Sequence, residues 1–164
     1  RDSSTSRGLG DVYKRQKWWM CDARFSDTLS MQGGSNMKNI VVSMQNTLLS
    51  EAIAHALTET REFRVEQILP GRTGDALSLC AAMPADILLM EVSRLSAYTL
   101  ESRLSLIDRL SAKIPGCKFA LLCDENSDPE LARQVVCARQ DRRIDAFLYA
   151  SVTPAYLVAA MDAL

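Results

Sequence analysis

No part of this sequence holds the roughly 20 consecutive apolar residues that a membrane-crossing helix needs. A secretory signal pattern is missing too. Charge of one sign is also absent: 19 Lys and Arg against 20 Asp and Glu leave a formal net charge of −1. The chain as a whole therefore carries no field that would draw it to nucleic acid or a membrane. Paired cysteines are lacking. Cys21, Cys80, Cys117, Cys123 and Cys137 are odd in number, scattered, and without a Cys-x-x-Cys spacing. That pattern argues against a disulfide framework or a thiolate metal site and fits reduced core thiols in the cytoplasm. Histidine is nearly absent. His55 stands alone beside an apolar stripe, with no acid or nucleophile paired to it in sequence, and reads as a helix-surface residue.

What is present is ordinary for a folded chain: 164 residues, 48% hydrophobic and 24% charged. That is enough for one domain with a real core. The pattern centres on Ala85-Asp86-Ile87-Leu88-Leu89-Met90-Glu91-Val92-Ser93. A short unbroken apolar run reads as a strand buried on both faces, as in a parallel sheet, although period alone leaves a helix segment open. Helical patterns on both sides favour the strand. Glu91 then stands at the carboxyl end of a central strand, where open α/β sheets place their chemistry.

From Met37 the chain alternates. Ile40-Val41-Val42 predicts a first strand. Asn46 or Thr47 caps a helix whose apolar face is Leu49, Ala52, Ile53, Ala56 and Leu57. A second strand runs from Phe63 to Leu69 and ends at Pro70-Gly71. Thr73 caps a second helix, with Ala76, Leu77 and Cys80 inward, ended by Met83-Pro84. After the central strand, Leu100, Leu104, Ile107 and Ile114 face one way on a third helix, stopped by Pro115-Gly116. Lys118 to Leu122 is a fourth strand. Ser127 and Glu130 form a capping box, with Pro129 in the first turn of a fourth helix that turns Leu131, Val135 and Val136 inward. Ile144 to Tyr149 is a fifth strand, and Thr153-Pro154 opens a last helix with Leu157, Ala160, Met161 and Leu164 inward. Right-handed crossovers turn this alternation into a parallel sheet with helices on both faces.

Residues 1–36 do not follow that design. Asp11-Val12-Tyr13-Lys14-Arg15-Gln16 back-translates to GAT-GTG-TAT-AAG-AGA-CAG, which resembles a transposon-end adapter, and Ser6 to Gly10 continues the same frame. Gln32-Gly33-Gly34 is encodable by a ribosome-binding sequence, with Met37 at a suitable spacing. The expectation is that residues 1–36 are a non-native, unstructured leader carrying Trp18 and Trp19, and that the native chain starts at Met37. Leu164 falls inside the last helical pattern without a capping glycine, which predicts a domain truncated in that helix.

The run Pro84 to Glu91, the order of elements, and Phe147-Leu148-Tyr149-Ala150-Ser151-Val152-Thr153-Pro154 with Leu157 to Ala160 resemble the receiver domain of bacterial response regulators. The last segment is most similar to the NarL/LuxR branch. The resemblance covers Met37 to Leu164 and implies a flavodoxin-like (βα)5 sandwich with sheet order 2-1-3-4-5. It also implies phosphoryl chemistry at a strand-end aspartate. A magnesium ion held by two acids after the first strand assists it, as do a hydroxyl after strand four and a lysine after strand five. This sequence departs at each position. Met44 and Gln45 stand at the acidic pair, Glu91 at the phosphoacceptor, Cys123 at the hydroxyl and Ala150 at the lysine. One carboxylate, an amide and a thiol make a poor magnesium site, and a carboxylate displaced by about 1 Å costs ~100-fold in rate. Neither cofactor nor metal is expected, and no enzymatic activity.

Two readings of Glu91 stay open: a permanent phosphate mimic, or an acid solvated at the sheet's rim without a signalling role. The missing donors favour the second. Phe147, at the switch-aromatic position, reads as core packing, and Cys123 as packing rather than a redox sensor, because Asp124 and Glu125 disfavour its thiolate. Arg139, Arg142 and Arg143 form a basic cluster whose default is a solvated loop. The expected function is a phosphorylation-independent regulatory module of a bacterial cytoplasmic regulator. It would pair as a homodimer through helix four, strand five and helix five, and reach DNA only through a C-terminal domain outside this sequence. The alternatives are a conventional phosphorelay receiver with an atypical site, a single-domain adaptor, and a flavin binder using Ser43 to Thr47 as a phosphate loop, which lacks a glycine for close backbone approach. A helix-turn-helix encoded within about a hundred codons after Leu164 separates a transcription factor from an adaptor.

Overall fold

The computed structural model describes residues 37–72 and 75–164. The expected leader, residues 1–36, and the expected cap Thr73 lie outside the described residues. The remaining elements alternate as β1 (Lys38–Ser43), α1 (Thr47–Thr58), β2 (Phe63–Ile68), α2 (Ala76–Ala82), β3 (Ile87–Val92), α3 (Leu100–Ser111), β4 (Lys118–Cys123), α4 (Pro129–Gln140), β5 (Ala146–Tyr149) and α5 (Pro154–Asp162). A 3-10 turn, Ser96–Tyr98, sits between β3 and α3. All strands are parallel, in the order β2-β1-β3-β4-β5. This is the flavodoxin-like α/β arrangement read from the sequence.

Ile87 to Met90 are all buried, because β3 is central and covered on both faces. Alternate side chains of a strand point to opposite faces. One core cluster therefore takes Leu88, Met90 and Val92 with Cys80, Leu104, Ile107, Leu110 and Val135. The other takes Ile87 and Leu89 with Ile53, Leu57, Leu157 and Met161. The first lies under α2, α3 and α4, the second under α1 and α5. Each fully buried Leu or Ile contributes about 1.5–3 kcal/mol, so the sheet interior dominates stability.

Local details depart from the sequence reading in instructive ways. Asn46, not Thr47, caps α1, its side chain accepting from Leu49 N at 3.2 Å. The buried stripe of α1 is Ser50, Ile53, Ala54 and Leu57, and Ala52 is exposed. Ser50 is tolerated inward because its hydroxyl donates to Gln67 Oε1 at 2.7 Å. The expected capping box at Ser127 does not form. Asp128 caps α4 by accepting from Leu131 N at 3.0 Å, while Ser127 donates its hydroxyl to Asp124. A carboxylate one residue closer to Pro129 outcompetes the hydroxyl as acceptor. β2 stops at Ile68, leaving Leu69 exposed, and β4 runs one residue further, to Cys123. β5 begins at Ala146, two residues after the expected Ile144, which is buried ahead of the strand. The delay follows from the end of α4. Arg142 takes φ +58° there, with Arg143 N on Ala138 O and Arg142 N on Arg139 O, a Schellman closure made without glycine. Arg143 then pairs with Asp108 at 3.0 Å.

The two edge strands differ. β2 carries Arg64, Glu66 and Gln67, and β5 has only four residues.

Candidate functional site

The site is the carboxyl end of β1 and β3. β1 ends at Ser43 and leads through Met44 and Gln45 to the capped start of α1. Its ladder with β3 ends at Ser43 and Met90, so the carbonyls at and past that rung need other donors. Glu91, half-buried, turns its carboxylate to the β1–α1 loop. Oε2 accepts from Gln45 N at 2.6 Å and from Asn46 N at 3.3 Å. These amides lie at the positive end of α1, where a carboxylate is favoured. The solvated-rim geometry expected for Glu91 is thus replaced by an internal latch. Gln45 adds a second tie, since its Oε1 accepts from Ser93 Oγ at 3.1 Å.

Beneath this lies a residue the sequence reading missed. Arg103, on α3, is only 1% exposed. Its Nε donates to Glu91 O at 2.9 Å, Nη1 to Ser43 Oγ at 3.2 Å and Nη2 to Ser43 O at 3.1 Å. The Tyr98 ring lies over the guanidinium, 4.7 Å from its carbon to the ring centroid. Burial pulls the guanidinium down to about 10, still protonated at neutral pH, with Tyr98 and Glu91 opposing that shift. The signal was in the sequence. Leu100, Arg103, Leu104 and Ile107 follow i, i+3, i+4, i+7, which puts an arginine on the apolar stripe.

The other expected positions do not join this cluster. Met44 is buried in the core beside Ile53 and Leu57, and offers no oxygen. Cys123 is fully buried and pairs in register with Val92 of the first core cluster, whereas Glu91 pairs with Leu122 of the second. Its thiol is therefore on the other face of the sheet from the Glu91 carboxylate. Burial, with Glu125 and Asp124 adding repulsion, pushes that thiol up to about 12. Ala150 is exposed, its N–H donating to Cys123 O at 2.9 Å. Phe147 is half-buried against the first cluster, with its ring edge-on to Tyr149 at 5.5 Å. His55 is exposed on α1. Two amides of the Ser43–Thr47 loop that a phosphate would draw on, those of Gln45 and Asn46, are held by Glu91. A shallow groove beside β2 and α2, lined in part by Ile68, Leu69 and Leu79, includes none of these residues.

The fold has counterparts among solved structures. A redox sensor from the streptococci, described as evolved from two-component response regulators, matches with a TM-score of 0.62 and 20% identity, over 77% of this chain and 50% of its own. The receiver domain of AraT, a response regulator from Geobacillus stearothermophilus, matches at 0.59 and 16%, over 77% and 91%. A CheY-like receiver domain protein from Methanospirillum hungatei matches at 0.58 and 18%, over 77% and 92%.

The chain has the receiver fold.

No family model and no curated protein matches the sequence. This receiver-fold chain spans half the length of the streptococcal sensor and about nine-tenths of the other two structures. The donors present do not suit the magnesium ion that the resemblance to receiver domains implies. Met44 is in the core, Gln45 Oε1 is engaged by Ser93, and Glu91 Oε2 is held by two amides. A hard cation wants several charged oxygens, and this set does not fit it. Among the described residues no helix is long and apolar enough to cross a membrane.

Proposed function

We propose that this receiver-fold chain is a phosphorylation-independent regulatory module, whose output is set by contact with a partner rather than by a phosphoryl group. One observation carries the reading: the carboxylate at the phosphoacceptor position is bonded to the backbone of Gln45 and Asn46. Those N–H groups orient it toward the loop, while the positions where a receiver would keep its hydroxyl and lysine are filled by Cys123, buried on the other face of the sheet, and Ala150, which carries no charge. Pairing through α4, β5 and α5, a bacterial cytoplasmic setting, and control of transcription through a further DNA-binding domain belong to the same proposal.

The test is incubation with acetyl phosphate and magnesium, followed by intact mass. No mass increase is expected, and the variant Glu91→Gln should bind the partner as the wild type does. A gain of one phosphoryl group on Glu91 refutes the proposal in favour of an atypical phosphorelay receiver. A large loss of partner binding in Glu91→Gln instead supports the phosphate mimic.

A further inference from the structure

Glu91 is held twice, from the two faces of the sheet. Its carboxylate reaches the amides of Gln45 and Asn46 on the side of α1. Its carbonyl accepts from Arg103, which rises from α3 on the other side. Arg103 spans both strand ends, because its other two bonds go to Ser43 at the end of β1. Three bonds from one planar group fix both strand ends in relation to each other, as no point charge can.

The charge also needs an account. An arginine this deeply buried is ordinarily paired with a carboxylate. Among the described residues Arg103 has none within ion-pair distance; its acceptors are two carbonyls and a hydroxyl. Its compensation comes from these dipoles, from the face of the Tyr98 ring, and at longer range from the Glu91 carboxylate. Among the described residues the buried Tyr98 hydroxyl has no hydrogen-bond partner, so what Tyr98 supplies to the cluster is its ring.

We propose that Arg103 is the resident cation of the strand-end site: a built-in positive charge and a positioning residue that keeps Glu91 latched to the β1–α1 loop without a metal ion. This deepens the proposed function and rests on the same reading of the site as unswitched. The two fail separately, since one is read by a covalent mass change and the other by local amide protection. The latch also ties the site to its surroundings. Ser93 N donates to Tyr98 O at 2.9 Å, so the turn that carries Tyr98 is anchored to the same strand end.

The experiment is amide hydrogen exchange by NMR on the full chain, with Gln45 as reporter and Leu89 in the sheet centre as reference. Wild-type Gln45 should be protected and unmoved by millimolar magnesium or a chelator. Arg103→Met should cost Gln45 about tenfold in protection relative to Leu89, the scale of one or two lost hydrogen bonds. Arg103→Lys, which keeps the charge but not the fork, should recover part of it. Ser43→Ala removes one of the three bonds and should give a smaller loss, so the inference remains testable if Arg103→Met does not fold. Unchanged Gln45 protection in both Arg103→Lys and Ser43→Ala overturns the proposal. So does a gain in wild-type protection on adding magnesium.

Discussion

Replacing Glu91 by alanine isolates the latch. The substitution removes one carboxylate and strands two backbone donors, Gln45 N at 2.6 Å and Asn46 N at 3.3 Å. A hydrogen bond to a charged acceptor is worth about 1.5–3 kcal/mol when its partner is left unsatisfied. The Asn46 bond is long and exposed, so water replaces it at little cost. The Gln45 bond is short and half-buried, and it carries most of the effect. The carbonyl of residue 91 still serves Arg103, so the strand ends remain joined from that side. The expected loss is about 2 kcal/mol, or a melting point lower by about 6 °C for a domain of this size. Urea unfolding followed by circular dichroism, with the m-value unchanged, measures it. Glu91→Gln keeps an oxygen acceptor without the charge and should lose about half as much. A change below about 0.5 kcal/mol in Glu91→Ala is what a solvated rim acid gives, and it would refute the latch.

Two further predictions concern parts of the fold away from the site. Arg142 occupies the left-handed position that closes α4, where glycine carries no Cβ penalty. Arg142→Gly should therefore stabilise the protein by about 0.5 kcal/mol, after the entropy glycine adds to the unfolded chain is subtracted; a lower midpoint in urea would contradict it. The thiols of Cys80, Cys117 and Cys123 are raised by burial from 9.0 to about 11, 12 and 12. A group raised in the folded state contributes stability that is complete below its unfolded value and lost as pH climbs through the folded one. Stability should thus decline from pH 9.0 upward, and the alanine variants at these positions should flatten the decline; a wild-type profile that stays level between pH 9.0 and 11 would count against buried thiols.

The sheet was legible because its signal is redundant. Apolar runs such as Ile87 to Met90, separated by helical periods and turn residues, admit few other layouts. The ends of elements were less legible, since neighbouring side chains compete for the same free amides. Ser127 and Asp128 both qualify as caps, and only the geometry of the Asp124 loop decides between them. The site was half legible. Position in the chain pointed to Glu91 and Gln45, which meet in the structure, and to Cys123, which lies on the opposite face; it gave no sign that backbone amides would be the partners. Donors from the main chain leave no mark in a residue pattern. Arg103 did leave one, as a charge on an apolar stripe, but long charged side chains usually reach out to water from such positions.

The edges of the sheet bear on how this protein can associate. A row of unpaired strand amides is a template for the addition of further strands, and the outcome is polymer rather than a counted assembly. Here one edge is studded with Arg64, Glu66 and Gln67, and the other is four residues long. Charge on the one and shortness of the other disfavour growth by sheet extension. That suits the proposed pairing through α4, β5 and α5, where side-chain complementarity rather than backbone repetition would decide which partner is accepted.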